Sequence, residues 1–545
     1  MIKLVIAQIN PIIGDIEANG RKILVQIREA HRSGADLVIF SELAIPGYPP
    51  HDLLERPSFL ERCQAIQQWI MEEMPNGIHA IIGNVGGSLD QMQNVAVTLV
   101  KGKIVHQAAK TLLPVYDVFD EVRYFVPQKR EDATLLQFGD QKIGVSICED
   151  LWNDKAFWQE RRYDFDPVED LVKAGAEIIV NLSSSPWSSG KRELRREMLC
   201  HTAKRHKVWV AYCNQVGGND GLIFDGNSML LNPQGEVTAE AASFEEDFIL
   251  APMSSTAPPA SSQAKGGIEA IHDALVLGIR DYFQKLNFKK TVIALSGGID
   301  SAVTAYLAVE ALGAEAVTGL ALPSRYSSQG SIDDALDLAD KLGFPCSVIE
   351  IEPMFDAYLN QLAPIFEGQE PNVAEENLQA RIRGGLVMAY SNKFGAVVLT
   401  TGNKSESAVG YCTLYGDTCG GLAPIADLYK NQVYDLARYA NRGKELIPIS
   451  TIDKPPSAEL APDQKDSDSL PSYDVLDEIL RLLIEEKASV ERICEETKQP
   501  HSLVSDIVKK VYYAEYKRKQ FPLTLRVSGK AWIGRVYPLA HRFRE

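Results

Sequence analysis

Long hydrophobic runs, paired cysteines and a basic excess are all missing from these 545 residues, and each absence removes a class of function. No stretch approaches the roughly 20 apolar residues that a membrane-spanning helix requires. The opening MIKLVIAQINPIIGD is interrupted by Gln8 and Asn10, and its apolar run is too short for a secretion signal. The formal net charge is -17, and no Lys/Arg run is interleaved with aromatics, which argues against a nucleic-acid surface. None of the eight cysteines forms a CxxC pair, and Cys412 and Cys419 have no histidine close by in sequence. Scattered thiols in a chain without a secretion signal predict a reduced, cytoplasmic protein. What remains is an ordinary globular composition, 45% hydrophobic and 24% charged, long enough for two to four domains.

The chain is organised around TVIALSGGIDSAVTAYLAVEAL, Thr291 to Leu312. A short apolar run stops at Ser296-Gly297-Gly298, and apolar residues at helical spacing follow: Val303, Tyr306, Leu307 and Leu312. Strand, glycine turn and helix N-terminus together make an anion cradle, because glycine admits a close phosphate and the helix amides and dipole favour negative charge. Asp300, in the first helical turn, suits a magnesium ion held against phosphates, and Ser296 and Ser301 add hydroxyls. Neither GxxxxGK[ST] nor GxGxxG fits the spacing. A glycine turn of this kind also occurs for purely structural reasons. SGGIDS resembles the pyrophosphate loop of the N-type ATP pyrophosphatases, which implies ATP cleavage between the α and β phosphates.

The first half alternates predicted strands and helices. SGADLVIFSELAIP and KAGAEIIVNLSSSP repeat one pattern of Gly-Ala-acid-apolar run-polar, read as two related helix–strand units in one sheet system, with Gly34 and Gly175 at helix ends. VAVTLV and KIVHQ predict a hairpin. Glu42, Lys110 and Cys148 each follow a strand, where ligand sites of α/β sheets gather. Singly, each has a plain reading as a solvated glutamate, a solvated lysine and a packed thiol. Together they supply a base, an oxyanion-stabilising cation and a nucleophile.

FSELAIPGYP, AAKTLLPVYDVFDEVRYF and VSICEDLW resemble the three signature segments of the nitrilase superfamily, over most of residues 1–250. The resemblance implies an α-β-β-α sandwich with Glu42 as general base, Lys110 as oxyanion stabiliser, Cys148 as acyl-forming nucleophile and Glu121 as the residue that positions Lys110. In nitrilase-type glutaminases, positions similar to Tyr116, Ser185 and Lys191 hold the amino-acid head of glutamine. Lys191 also reads as an ordinary helix-face lysine in KRELRREML.

After DFILAP, the Pro/Ser/Ala/Gly-rich stretch Ala251 to Gly267 predicts a linker, and an amphipathic helix begins near Ile268 with Ile271, Leu275 and Ile279 on one face. SGGIDS, ENLQARIRG, TTGNKSE and YGD with DLYK together resemble NAD synthetases over residues 268–545. That implies a doubly wound parallel-sheet (Rossmann-like) ATP pyrophosphatase domain. It also implies ATP at Ser296, Gly297, Gly298, Ser301, Thr401 and Lys430, and Mg2+ at Asp300 and Glu406. Asn377, Arg381, Glu406 and Lys517 would face deamido-NAD. Glu406 also reads as a helix-capping charge and Lys517 as a solvated helix lysine. Lys454–Ser472, polar and broken by prolines, reads as a surface loop, or by resemblance as a lid over ATP. The expected activity joins glutamine hydrolysis to amidation of deamido-NAD, with protected passage of ammonia, small-molecule partners only and a homo-oligomeric state implied by resemblance. Two alternatives stand beside it: a different acceptor acid, or a first domain that only binds or assembles.

Overall fold

The computed structural model describes residues 2–254, 265–462 and 464–542 and divides the chain into two compact units, Met1–Gly266 and Gly267–Glu545. Of the expected linker 251–267, residues 255–264 lie outside the described residues, and Ala251 and Pro252 complete a strand instead. No helix among the described residues is long and apolar enough to cross a membrane.

In the first unit β1 (Lys3–Gln8) leads through α1 (Ile16–Arg32) to β2 (Leu37–Ile39) and through α2 (Pro57–Glu73) to β3 (His79–Gly86), all parallel. The expected hairpin follows as β4 (Gln93–Val100) and β5 (Lys103–Ala109). A second sheet starts with β6 (Leu136–Phe138) and β7 (Gln141–Ile147), then runs through α3 (Pro167–Lys173) to β8 (Ile178–Ser183) and through α4 (Lys191–His206) to β9 (Trp209–Asn214), with β7, β8 and β9 parallel. β10 (Val216–Asn219) and β11 (Leu222–Asp225) form a separate ribbon; β12 (Met229–Leu231) and β13 (Val237–Glu240) extend the second sheet; β14 (Asp247–Pro252) returns beside β1. The sheet orders are β14-β1-β2-β3-β4-β5 and β13-β12-β9-β8-β7-β6.

Strand alternation builds the layers. Ile178, Val180 and Leu182 of β8 join Leu4, Ile6, Leu37 and Ile39 in the core between the sheets, while Ile179 packs outward with Leu171 of α3 and Leu199 of α4. The two repeated sequence units therefore fall in different sheets, β2 central in one and β8 central in the other, rather than side by side. Gly34 and Gly175 take left-handed backbones of +73° and +103° just past α1 and α3.

The second unit opens with α5 (Gly267–Lys285), whose Ile271, Leu275 and Ile279 are buried. β15 (Thr291–Leu295), α6 (Ile299–Leu312), β16 (Val317–Ala321), α7 (Gln329–Leu342), β17 (Cys346–Val348), α8 (Glu352–Phe366), α9 (Val373–Phe394) and β18 (Val397–Val398) follow. Their sheet is parallel in the order β17-β16-β15-β18. The chain winds outward from β15 in one direction and returns on its other side with β18, as a doubly wound sheet does. Beyond it come α10 (Lys404–Val409), the short β19 (Leu422–Ala423), α11 (Lys430–Ala440) and α12 (Ile449–Asp453). A helical cluster of α13 (Tyr473–Ile484), α14 (Val490–Thr497) and α15 (His501–Tyr513) has its own core of Leu476, Leu480, Ile493 and Val508. The short α16 (Glu515–Arg518) and β20 (Leu523–Thr524), paired to β19, close the described chain.

Candidate active sites

Strand ends of both sheets meet in the first unit: Glu42 follows β2, Lys110 follows β5 and Cys148 follows β7, and all three are buried. Lys110 Nζ donates to Glu42 Oε1 at 2.8 Å and to both oxygens of Glu121 at 2.7 Å. Asn94 Nδ2, on β4, donates to Glu42 Oε1 at 2.7 Å, and the backbone N–H of Ser184, after β8, donates to Glu42 Oε2 at 2.9 Å. Tyr48 OH donates to Glu121 at 3.0 Å. The Glu42 turn fits because β3 carries glycine beneath it: a Cβ on Gly83 would lie 2.3 Å from Leu43 N and 2.4 Å from Ser41 O.

Cys148 stands on a turn with φ +43°, an uncommon backbone for a residue with a Cβ. Asp150 holds that turn by accepting from Ile147 N at 3.0 Å, and it ties the turn to the lysine segment by accepting from Thr111 N at 3.0 Å and Leu112 N at 2.8 Å. Burial raises the Cys148 thiol pKa, and Glu42 pushes the same way against Lys110. The resting group is a thiol that needs a base. For Lys110 burial pulls the pKa down, but Glu121 and Glu42 hold it well above its ordinary value, so it remains an ammonium. Burial pushes Glu121 up to about 7 against the pull of Lys110.

Glu149, the residue after the cysteine, gathers the polar side chains around it. Tyr116 OH donates to its two oxygens at 3.0 and 2.9 Å, and Tyr163 OH donates at 3.3 Å. The Arg162 guanidinium lies 3.8 Å from the Tyr116 ring centroid. Lys191, at the head of α4, points its ammonium over the Trp152 ring at 5.5 Å, and its charge is felt at Glu149. Ser185 is buried, with its backbone N–H given to Asn214 Oδ1 at 2.9 Å. Glu149, Asp150, Asn94 and Ser184 escaped the sequence reading. Glu149 and Asp150 were legible as charges directly beside a strand-end cysteine; Asn94 and Ser184 gave no such signal.

In the second unit a cavity of about 430 Å3 opens where the strand order reverses between β15 and β18. Ser296, Gly298, Asp300, Ser301, Thr401 and Lys430 line it, as do Asn377, Glu406 and Lys517. Gly297 has φ +73°, and a Cβ there would meet the Ser331 carbonyl oxygen at 2.2 Å, so the turn demands glycine. Ser296 Oγ lies 3.2 Å from Ser301 Oγ and accepts from Gly298 N at 3.2 Å, which pins the loop to the first turn of α6.

Lys430 Nζ donates to Asp300 Oδ2 at 2.5 Å and to Glu406 Oε1 at 3.1 Å, and Asn403 Nδ2 donates to Asp300 Oδ1 at 2.8 Å. Burial raises Glu406 to about 8, Lys430 opposes that shift, and Asp300 adds to it. Two carboxylates converging on one cation are a hard-oxygen donor set, and that chemistry fits magnesium.

The face of α9 turned to the cavity presents Glu376, Asn377, Ala380, Arg383, Gly384 and Val387. Arg381 falls outside this stripe: it is exposed and donates to the Leu414 carbonyl at 3.3 Å. Arg383 is the arginine in the lining, donating to the Leu322 carbonyl at 2.8 Å, with burial lowering its pKa to about 10. Lys517 is not a free helix lysine; its ammonium donates to the carbonyls of Gly410 and Cys412, both at 2.7 Å.

Lys454, Glu459, Leu460 and Asp466, from the proline-broken segment expected to be a loop or lid, line the cavity. Glu459 accepts from Ser331 Oγ at 2.8 Å and Ser328 Oγ at 2.9 Å, and Lys454 Nζ donates to Ser331 Oγ at 3.0 Å.

Comparison with known proteins matches residues 3–257 to the carbon-nitrogen hydrolase family model and residues 271–521 to that of NAD synthase. The glutamine-dependent NAD(+) synthetase of Synechocystis sp. is 46% identical, with 100% of this chain and 99% of that protein covered. Its namesake from Thermotoga maritima is 41% identical over the same shares. Among solved structures, the glutamine-dependent NAD+ synthetase of Acinetobacter baumannii in complex with ADP superposes with a TM-score of 0.76 at 36% identity, covering 99% of this chain and 98% of that one.

Proposed function

Because this chain belongs to the glutamine-dependent NAD(+) synthetase family, we propose that its two sites perform the two halves of that reaction, ammonia release in the first unit and ATP-driven amidation of deamido-NAD in the second. The observation that carries the reading is the buried Lys110 ammonium shared between Glu42 and Glu121 beside the Cys148 turn.

Glutamine is held by its amino-acid head, the α-ammonium at Glu149 and Tyr116 and the α-carboxylate toward Lys191 and Ser185. Cys148 Sγ attacks the side-chain amide carbon while Glu42 takes the thiol proton, and Lys110 donates to the oxyanion that develops. Glu42 returns the proton to the amide nitrogen, the carbon–nitrogen bond breaks, and ammonia leaves a thioester. Water, deprotonated by Glu42, releases glutamate and restores the thiol. Asn94 and Ser184 keep the carboxylate aimed throughout.

In the second unit the nicotinate carboxylate attacks the α-phosphorus of ATP. The Gly297–Ser301 turn receives the departing pyrophosphate on its backbone amides and hydroxyls. Asp300 and Glu406 are the residues that would hold magnesium, which when bound offsets phosphate charge. Lys430 is a cation already fixed between them. Thr401 faces ATP; Asn377 and Lys517 face the dinucleotide, with Arg383 rather than Arg381 as the arginine of that face. The lid, clasped by Glu459 to Ser331, keeps water from the acyl-adenylate until ammonia displaces AMP. A cytoplasmic site of action and a homo-oligomeric state complete the proposal; light scattering of the purified chain tests the latter.

Cys148→Ala is the direct test. Glutamine-supported NAD formation should vanish while ammonia-supported formation persists. Equal loss with both nitrogen donors refutes the two-site scheme, and amidation of another acid but not deamido-NAD refutes the acceptor.

A further inference from the structure

Four polar atoms in the first unit are buried without a hydrogen-bond partner and belong to neighbouring side chains: Asp154 Oδ2, Asp166 Oδ2, His201 Nε2 and His206 Nε2. One ligand atom from each of Asp154, Asp166 and His206 lies within 4.8 Å of the other two. His201 Nε2 is 3.5 Å from Asp154 Oδ2, and His206 Nε2 is 4.0 Å from the same oxygen. The carboxylates are only 3% and 5% exposed. Their other oxygens are engaged: Asp154 Oδ1 accepts from Ala156 N at 2.7 Å and from Arg205, and Asp166 Oδ1 accepts from Val168 N at 3.0 Å and Glu169 N at 3.2 Å. Arg205 stays 4.0 Å from Asp166 Oδ2 and 3.7 Å from Glu169 Oε1, so one guanidinium is shared among three carboxylates and leaves Asp154 Oδ2 and Asp166 Oδ2 without a hydrogen bond. Orphaned buried oxygens of this kind call for a partner.

We propose that Asp154, Asp166 and His206 bind a divalent transition-metal ion of the zinc class, at a site separate from both reactions. Magnesium and calcium favour all-oxygen sets, whereas imidazole paired with carboxylate suits zinc. Three protein donors leave a fourth tetrahedral position for water. The half-exposed edge formed by His201 and Arg205, with side chains 33% and 22% exposed, gives the ion its way in. The donors come from three elements: the segment after the Cys148 turn, the N-cap of α3 and the last turns of α4. Lys191 heads that same α4, and Trp152 beneath it precedes Asp154 by two residues. The ion thus fastens the frame of the glutamine pocket without touching substrate.

The test uses the full chain, stripped of metal and titrated with cobalt(II) alone as an optical probe. One cobalt per chain is expected, with the ligand-field bands of a tetrahedral nitrogen/oxygen site, no thiolate charge-transfer band, and displacement by zinc. Asp166→Asn retains the helix-capping oxygen yet removes a charged donor, and His206→Ala removes the imidazole donor. Each should weaken zinc binding at least ~10-fold and abolish the rise in melting temperature that zinc gives the parent, with ammonia-supported synthesis unchanged. Thiolate bands, absent binding, or variants that bind as tightly as the parent would overturn the proposal and leave the cluster as a network of aspartate, arginine and histidine side chains.

Discussion

Burial raises the Glu149 carboxyl above its ordinary range, against the pull of Lys110 and of hydrogen bonds from Tyr116 and Tyr163. Only its ionised form attracts an α-ammonium, so glutamine capture is complete above the raised value and fails as pH falls through it. That failure begins at higher pH than a glutamate of ordinary pKa would give. Glu149→Gln should raise KM for glutamine by about 10-fold, the worth of one charge-assisted hydrogen bond. It should also flatten the acid limb of kcat/KM for glutamine, with ammonia-supported synthesis as the control. An unchanged KM removes Glu149 from substrate binding. Glu42, Lys110 and Cys148 were legible as residues because each lies in a contiguous phrase. Asn94 and Ser184 were not, because they reach Glu42 only after separate strands, one of them in the opposite sheet, have packed around it.

The cradle after β15 and the lid above it can be tested as elements. Gly297→Ala places a Cβ against the Ser331 carbonyl on a left-handed backbone, and should cost about 1–3 kcal/mol in denaturant unfolding. It should also lower ATP affinity and slow synthesis with either nitrogen donor. Glu459→Ala releases the lid from Ser328 and Ser331. Acyl-adenylate then meets water, so AMP formed per NAD should rise above one-to-one, read by chromatography of both products. An unaltered ratio denies the segment its role as a water barrier. The strands and helices flanking these loops were visible in their apolar spacing. Which arginine of ENLQARIRG faces the cavity was not, since residues two apart on a helix point to different sides and the sequence does not mark the side on which the cavity lies.

At the scale of the whole molecule, two chemistries with different needs share one chain. On the proposed scheme, thioester formation at Cys148 uses a base and a lysine ammonium, whereas pyrophosphate departure sheds negative charge toward Lys430 and the magnesium that Asp300 and Glu406 would hold. Omitting magnesium should therefore stop AMP formation with either nitrogen source. An electrophilic glutamine analogue should still add its mass to Cys148, as intact mass spectrometry would read. Labelling that also required magnesium would contradict the division. The repeated Gly-Ala-acid pattern marked two related helix–strand units, expected in one sheet system, and not their placement in facing layers, because a strand's pattern fixes which side is apolar and not which sheet supplies the other side. That placement has a consequence for a newly made chain. The base and the lysine ride on one layer and the cysteine on the other, so a half-completed sandwich holds a dormant thiol. Catalytic attack begins only when the layers meet and bring the proton-accepting base and the oxyanion-stabilising lysine to the thiol.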